Sequence, residues 1–227
     1  WGRIVIIVSH EKNGWAIECV RWFIRTLQER IGNRLMPEID VLYANNDAVY
    51  VAQNILEPLR IAHESGDRCE LIVTIGGWCS REVRDVLDTW SEKIPQLFCA
   101  VPDPLRLALV DSLAEPGGMV SGVMLGTVDF GEVLRLLHAV CPENKKILVP
   151  YSEFDVELTG SGEEVAYLEA LRVAGDQYGM QICPFRTDGS GSWRQRLIAE
   201  VAAVDMVMLL PDSLMIAAAD ELIAAVN

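Results

Sequence analysis

Short apolar runs alternate with amphipathic stretches from one end of this chain to the other, and that rhythm limits what it can fold into more than any other feature. Arg3–Val8 is a β-branched run. Trp15, Cys19, Phe23 and Leu27 follow at four-residue spacing, which places them on one face of a helix. Glu38–Tyr43, entered after Pro37, reads as the next strand. The spacing then predicts a helix over 47–63, with Asp47 as its cap or first-turn residue. A buried strand over 70–75 ends in Gly76-Gly77, followed by a helix over 79–90, a strand over 96–101, a short helix over 105–113 and a strand over 119–125. The rhythm then restarts, with helices over 129–140, 163–178, 193–203 and 213–226 and strands over 146–150, 180–185 and 205–210. Near-continuous apolar strands need cover on both faces. The pattern therefore predicts an α/β protein whose parallel sheets are flanked by helices and joined by right-handed crossovers.

A chain of 227 residues suits one large domain or two lobes of about 100 residues each. Two lobes fit better: an N-terminal α/β lobe over 1–125 with five strands, and a second over 126–227. Gly122, Gly126 and Gly131 lie where a hinge would fall. The hydrophobic content of 51% supports a packed core. No apolar run reaches the roughly 18 residues of a membrane helix, and the longest candidate, 201–210, is interrupted by Asp205. The formal net charge of −14 argues against nucleic acid and against an anionic membrane surface, since both need clustered Lys and Arg. Cys19, Cys69, Cys79, Cys99, Cys141 and Cys183 form no C-x-x-C pair and read as buried free thiols. Free thiols suit a reducing compartment better than an oxidising one.

Near the middle of the chain, Val101-Pro102-Asp103-Pro104 precedes a short apolar segment, which is closed by Glu115-Pro116-Gly117-Gly118-Met119-Val120 and Ser121-Gly122-Val123. This passage resembles the central signature of the substrate-binding components of ABC importers that take up amino acids and similar small organic solutes. That family writes V-T-D-P, a short G-L-V helix, then P-G-G-N-V-T-G-V. Pro102, Met119 and Ser121 stand here where the family has Thr, Asn and Thr.

The resemblance implies a two-lobed periplasmic-binding-protein-like fold, with the family's last strand and return crossing missing from this chain. It implies an interlobe cleft that closes on a small solute by hinge motion, without catalysis, cofactor or metal. The implied partner is a membrane permease, the expected state a monomer, and the expected location extracytoplasmic and lipid-anchored. The six thiols keep the cytoplasm open as an alternative. The absence of an initiator Met predicts a mature or trimmed form. A ligand-sensing domain of the same fold, feeding a signalling or regulatory protein, is the second reading; a flavodoxin-like enzyme is the third.

In open parallel sheets the ligand lies beyond the carboxyl ends of the strands. That rule selects Ser9, His10, Gly77, Trp78, Cys79 and Asp103 in the first lobe, and Tyr151, Ser152, Glu153 and Asp212 in the second; the resemblance adds Ser161, as the nearest equivalent of the family's Asn-Ser pair. Gly76-Gly77 can turn tightly and expose backbone N–H groups to a carboxylate at the start of a helix. Trp78 is either a stacking wall for an apolar ligand or a rim residue covering the sheet end. Asp212 either grips a ligand ammonium or caps the next helix, and Ser161 either meets ligand or caps the helix that follows it. Asp103, held between two prolines, is expected to shape the cleft floor or the interlobe crossing. In the family the segment after Gly77 and the loop of Tyr151 and Glu153 help to hold the ligand. This chain departs from the pattern at Trp78-Cys79-Ser80. No P-loop, no G-x-S-x-G elbow and no grouped histidines are present to support an enzyme.

Overall fold

The β-branched run at the N-terminus becomes the second strand of a parallel sheet. The structure, a computed structural model, describes residues 2–9, 14–32, 35–45, 47–101, 103–125, 129–152, 164–187, 192–210, 219 and 222–224. The chain divides into two compact units, Trp1–Gly126 and Thr127–Asn227.

In the first unit β1 (Arg3–Val8), β2 (Glu38–Tyr43), β3 (Cys69–Ile75), β4 (Gln96–Val101) and β5 (Val120–Met124) lie in the order β2-β1-β3-β4-β5, all parallel. Ile6 aligns with Val41 on one side and Val73 on the other. Ile4, Ile6 and Val8 form one cluster with Val73, Ile75 and Val20 of α1 (Gly14–Ile31), against which Cys19, Phe23, Ile24 and Leu27 pack. Cys19, Phe23 and Leu27 of the periodic stripe therefore lie on the face that α1 lays on the sheet. Each fully buried Ile or Val there contributes about 2 kcal/mol.

The helix predicted over 47–63 is broken into α2 (Ala48–Tyr50), a π-helical segment (Val51–Leu56) and α3 (Glu57–Glu64). Asp47 caps it, its carboxylate accepting the Tyr50 N–H at 2.9 Å. The wide turns immediately precede Pro58, which has no N–H to give to the preceding turn.

The expected helix over 105–113 is replaced by turns. The segment contains Ala108 in the left-handed region at φ 50°, which a right-handed helix cannot include. Arg84 of α4 (Gly77–Leu87) donates to the Ala108 carbonyl. Leu107, Leu109 and Val110 tuck against Phe98 and Val101. Two of the glycines expected at the hinge lie within regular elements. Gly122 lies within β5 with its bare Cα against the Phe98 carbonyl and ring, and Gly131 is in the first turn of α5 (Phe130–Val140). Gly126 falls outside the described residues.

In the second unit β6 (Lys146–Ser152), β7 (Gln181–Thr187) and the short β8 (Met206–Val207) form a parallel sheet in the order β7-β6-β8. Ile147 and Val149 face Phe130 and Leu134 of α5 and Leu168, Leu171 and Ala174 of α6 (Glu164–Gln177). Leu148 faces the other way, onto Trp193 and Leu197 of α7 (Trp193–Val201). Both faces are thus covered, as near-continuous apolar strands require. The strand expected over 205–210 pairs only at Met206–Val207. Of the helix expected over 213–226, residues 219 and 222–224 are described, and they are helical.

Candidate functional site

From β1 the chain steps outward to β2, and β3 returns to the opposite side of β1. The space beyond the carboxyl ends of β1 and β3 is thus a topological switch point, where open α/β sheets hold ligands. Ser9 and Gly76-Gly77 meet there. The Ser9 N–H donates to the Ile75 carbonyl at 3.0 Å, and the Gly76 N–H donates to the Cys99 carbonyl at 3.0 Å. Gly76 has φ 108° and ψ 149°, and a Cβ on it would collide with the Ser9 hydroxyl. Only glycine combines that backbone with that close approach.

Gly76 is the N-cap of α4 and offers no side chain to its first turn, which also carries no acidic residue. The backbone N–H groups that open a helix point out along its axis and carry partial positive charge. A helix start of this kind suits a small anion such as a carboxylate.

A buried polar chain lies beneath it. Thr74 and Ser80 are fully buried and Gln96 is 2% exposed. Ser80 Oγ donates to the Gly76 carbonyl at 2.6 Å and lies 2.9 Å from Thr74 Oγ1. Gln96 Nε2 donates to Thr74 Oγ1 at 3.1 Å and to the Ser80 carbonyl at 2.8 Å. Sequence reasoning overlooked these three residues. The available signal was a threonine inside the apolar run of β3 and a glutamine opening the apolar β4.

Of the residues expected at the site, Ser9 and Gly77 come together at the switch point. Trp78 is 4% exposed, its side chain buried in the first turn of α4. The Cys79 side chain is fully buried with Sγ 4.0 Å from the Ile7 carbonyl, and its backbone lies in the first turn of α4. Burial pushes the Cys79 thiol well above its ordinary value, so it stays protonated.

Asp103 is half-buried and shapes its own turn, Oδ1 accepting the Arg106 N–H at 3.0 Å. Tyr151 packs half-buried against the core of the second unit, and its carbonyl accepts the Thr187 hydroxyl at 2.9 Å. Ser152 pairs with Thr187 through the β6–β7 register, its side chain lying outside the described residues. His10, Glu153, Ser161 and Asp212 also lie outside the described residues. Among the described residues no group of three His, Cys, Asp or Glu side chains is placed to hold a metal ion. None of the described helices is long and apolar enough to cross a membrane.

No family model matches the chain. Over 66 residues, 29% of its length, it is 38% identical to a tyrosine-binding protein of Clostridioides difficile strain R20291, and that segment spans only 19% of the relative. Among solved structures it aligns over 99% of its length with the ABC domain of a Streptococcus pneumonia protein in complex with L-Trp, at a TM-score of 0.75 and 17% identity, covering 70% of that chain. It also aligns over 99% of its length with the ligand-free, open structure of a substrate binding protein with adhesive properties from Clostridium difficile, at a TM-score of 0.58 and 22% identity, covering 70% of that chain. The fold is the α/β architecture of the two-lobed periplasmic-binding-protein-like proteins, with parallel sheets flanked by helices.

Proposed function

We propose that this chain binds an amino acid or a related small solute, an aromatic amino acid first of all, as the substrate-binding component of an ABC importer. The observation that carries the reading is the alignment over 99% of the chain with a protein that holds L-Trp. The local identity to a tyrosine-binding protein supports the aromatic preference. The first unit supplies what an α-carboxylate needs: an acid-free helix start at Gly77, beside Ser9, at the switch point of a parallel sheet. Asp212 is the proposed grip on the ammonium, through a charge-assisted hydrogen bond. No bond in the ligand is made or broken; the ligand favours the bound conformation by the contacts it makes there and not elsewhere. The proposed partner is the importer's permease, the proposed state a monomer, and the proposed location extracytoplasmic.

Thermal melts of the purified chain with L-tryptophan, L-tyrosine and L-leucine test the reading. A ligand at about 100 times its Kd adds about 2.7 kcal/mol of apparent stability. A clear rise in Tm is expected with at least one aromatic amino acid and a smaller one with L-leucine. Unchanged melts, together with flat calorimetric titrations for all three, would refute amino-acid binding. Uptake of the bound amino acid by cells with and without the intact gene tests the importer role.

A further inference from the structure

Gln96 does not reach the strand ends, yet it starts a hydrogen-bonded chain that ends on the residue opening α4. The direction of that chain follows from proton counting. The Gln96 amide nitrogen can only donate, so Thr74 Oγ1 accepts from it at 3.1 Å. Ser80 has one hydroxyl proton and uses it on the Gly76 carbonyl at 2.6 Å. Thr74 therefore gives its own proton to Ser80 across the 2.9 Å separation. The order is Gln96, Thr74, Ser80, Gly76, each donor polarising the next. The second amide proton of Gln96 holds the Ser80 carbonyl at 2.8 Å.

Gln96 Oε1, by contrast, is buried without a hydrogen-bond partner among the described residues. A buried orphan acceptor is costly, and a methionine of similar shape would fill the space without it. The glutamine is therefore explained by its two donated bonds. Both end on the first turn of α4 or on its support.

We propose that Gln96 is a positioning residue for carboxylate recognition: through Thr74 and Ser80 it fixes the Gly76 carbonyl and so aims the N–H groups that open α4. The inference rests on the reading that this helix start anchors the ligand carboxylate. It predicts that discrimination between a carboxylate and its uncharged amide depends on a residue that never touches either.

The test compares L-tryptophan with L-tryptophanamide by calorimetric titration on the wild-type chain and on Gln96→Met. The wild type is expected to prefer the acid. Gln96→Met should reduce that preference roughly tenfold, the equivalent of one well-formed hydrogen bond. Ser80→Ala, which breaks the last link at little cost in volume, should do the same and serves if Gln96→Met does not fold. A purely structural role would lower stability and leave the acid-to-amide ratio at its wild-type value; that result in either folded variant overturns the proposal. A wild-type chain that binds neither compound, or binds both equally, overturns instead the anchoring on which the proposal rests.

Discussion

At Gly76 one backbone angle and one neighbouring side chain settle what the residue must be. Its φ of 108° is a conformation that a side chain resists, and the Ser9 hydroxyl occupies the place where a Cβ would go. Gly76→Ala is therefore expected to destabilise the chain by about 2 kcal/mol or more, the sum of backbone strain and a forced shift of Ser9. Urea unfolding measures this, and a change below about 0.5 kcal/mol would mean that the turn relaxes freely. Gly76-Gly77 is legible as a turn from its residue types and its place at the end of an apolar run. That Ser9 lies on the first of these glycines is not legible there, because the two residues meet only through the β1–β3 register.

Elements whose character comes from local periodicity appear where the sequence places them. All five strands of the first unit and α1 belong to this group. The segment 105–113 does not: its apolar residues are spaced well enough for a helix, but they are drawn individually under β4, and Ala108 is held left-handed. The approach to β8 shows the same dependence on distant partners. The Asp205 carboxylate accepts the N–H groups of Lys145 and Lys146, each at 2.8 Å, and clamps the start of β6.

Those bonds, the Lys145 one foremost, hold the Asp205 carboxyl below its ordinary value of 3.8. Their stabilisation is complete above that unfolded value and is lost as pH falls through the lower folded one. Asp205→Ala is expected to lower Tm at neutral pH, with the gap from wild type closing as the medium is acidified below about pH 4. Thermal melts across that range measure it, and a gap that is independent of pH would show that the clamp does not act through the charged carboxylate.

On the scale of the whole molecule, two units each bury their own core, and none of the six cysteines is in a disulfide. Burial pushes the thiols of Cys19, Cys69, Cys79 and Cys99 up, so little reactive thiolate forms at neutral pH. The folded chain should therefore react slowly with a thiol reagent at Cys69 and Cys79, the two buried positions. In denaturant all six should react. Rapid labelling of Cys79 in the folded chain, located by peptide mapping, would contradict the packing of α4 against β1. A thiol kept protonated and covered, as those of Cys69 and Cys79 are, is a poor target for oxidation.

The α/β class, most of the strand and helix order and the Asp47 cap can be read from the sequence alone. Each depends on residues within a few positions of one another, where backbone geometry imposes periods of 2 and 3.6. The partners of Ser9 and Gly76, the direction of the Gln96 chain, the burial of the Cys79 side chain and the turns over 105–113 are decided only by the tertiary structure. Each depends on which strand lies beside which, and that choice belongs to the packing of the whole sheet.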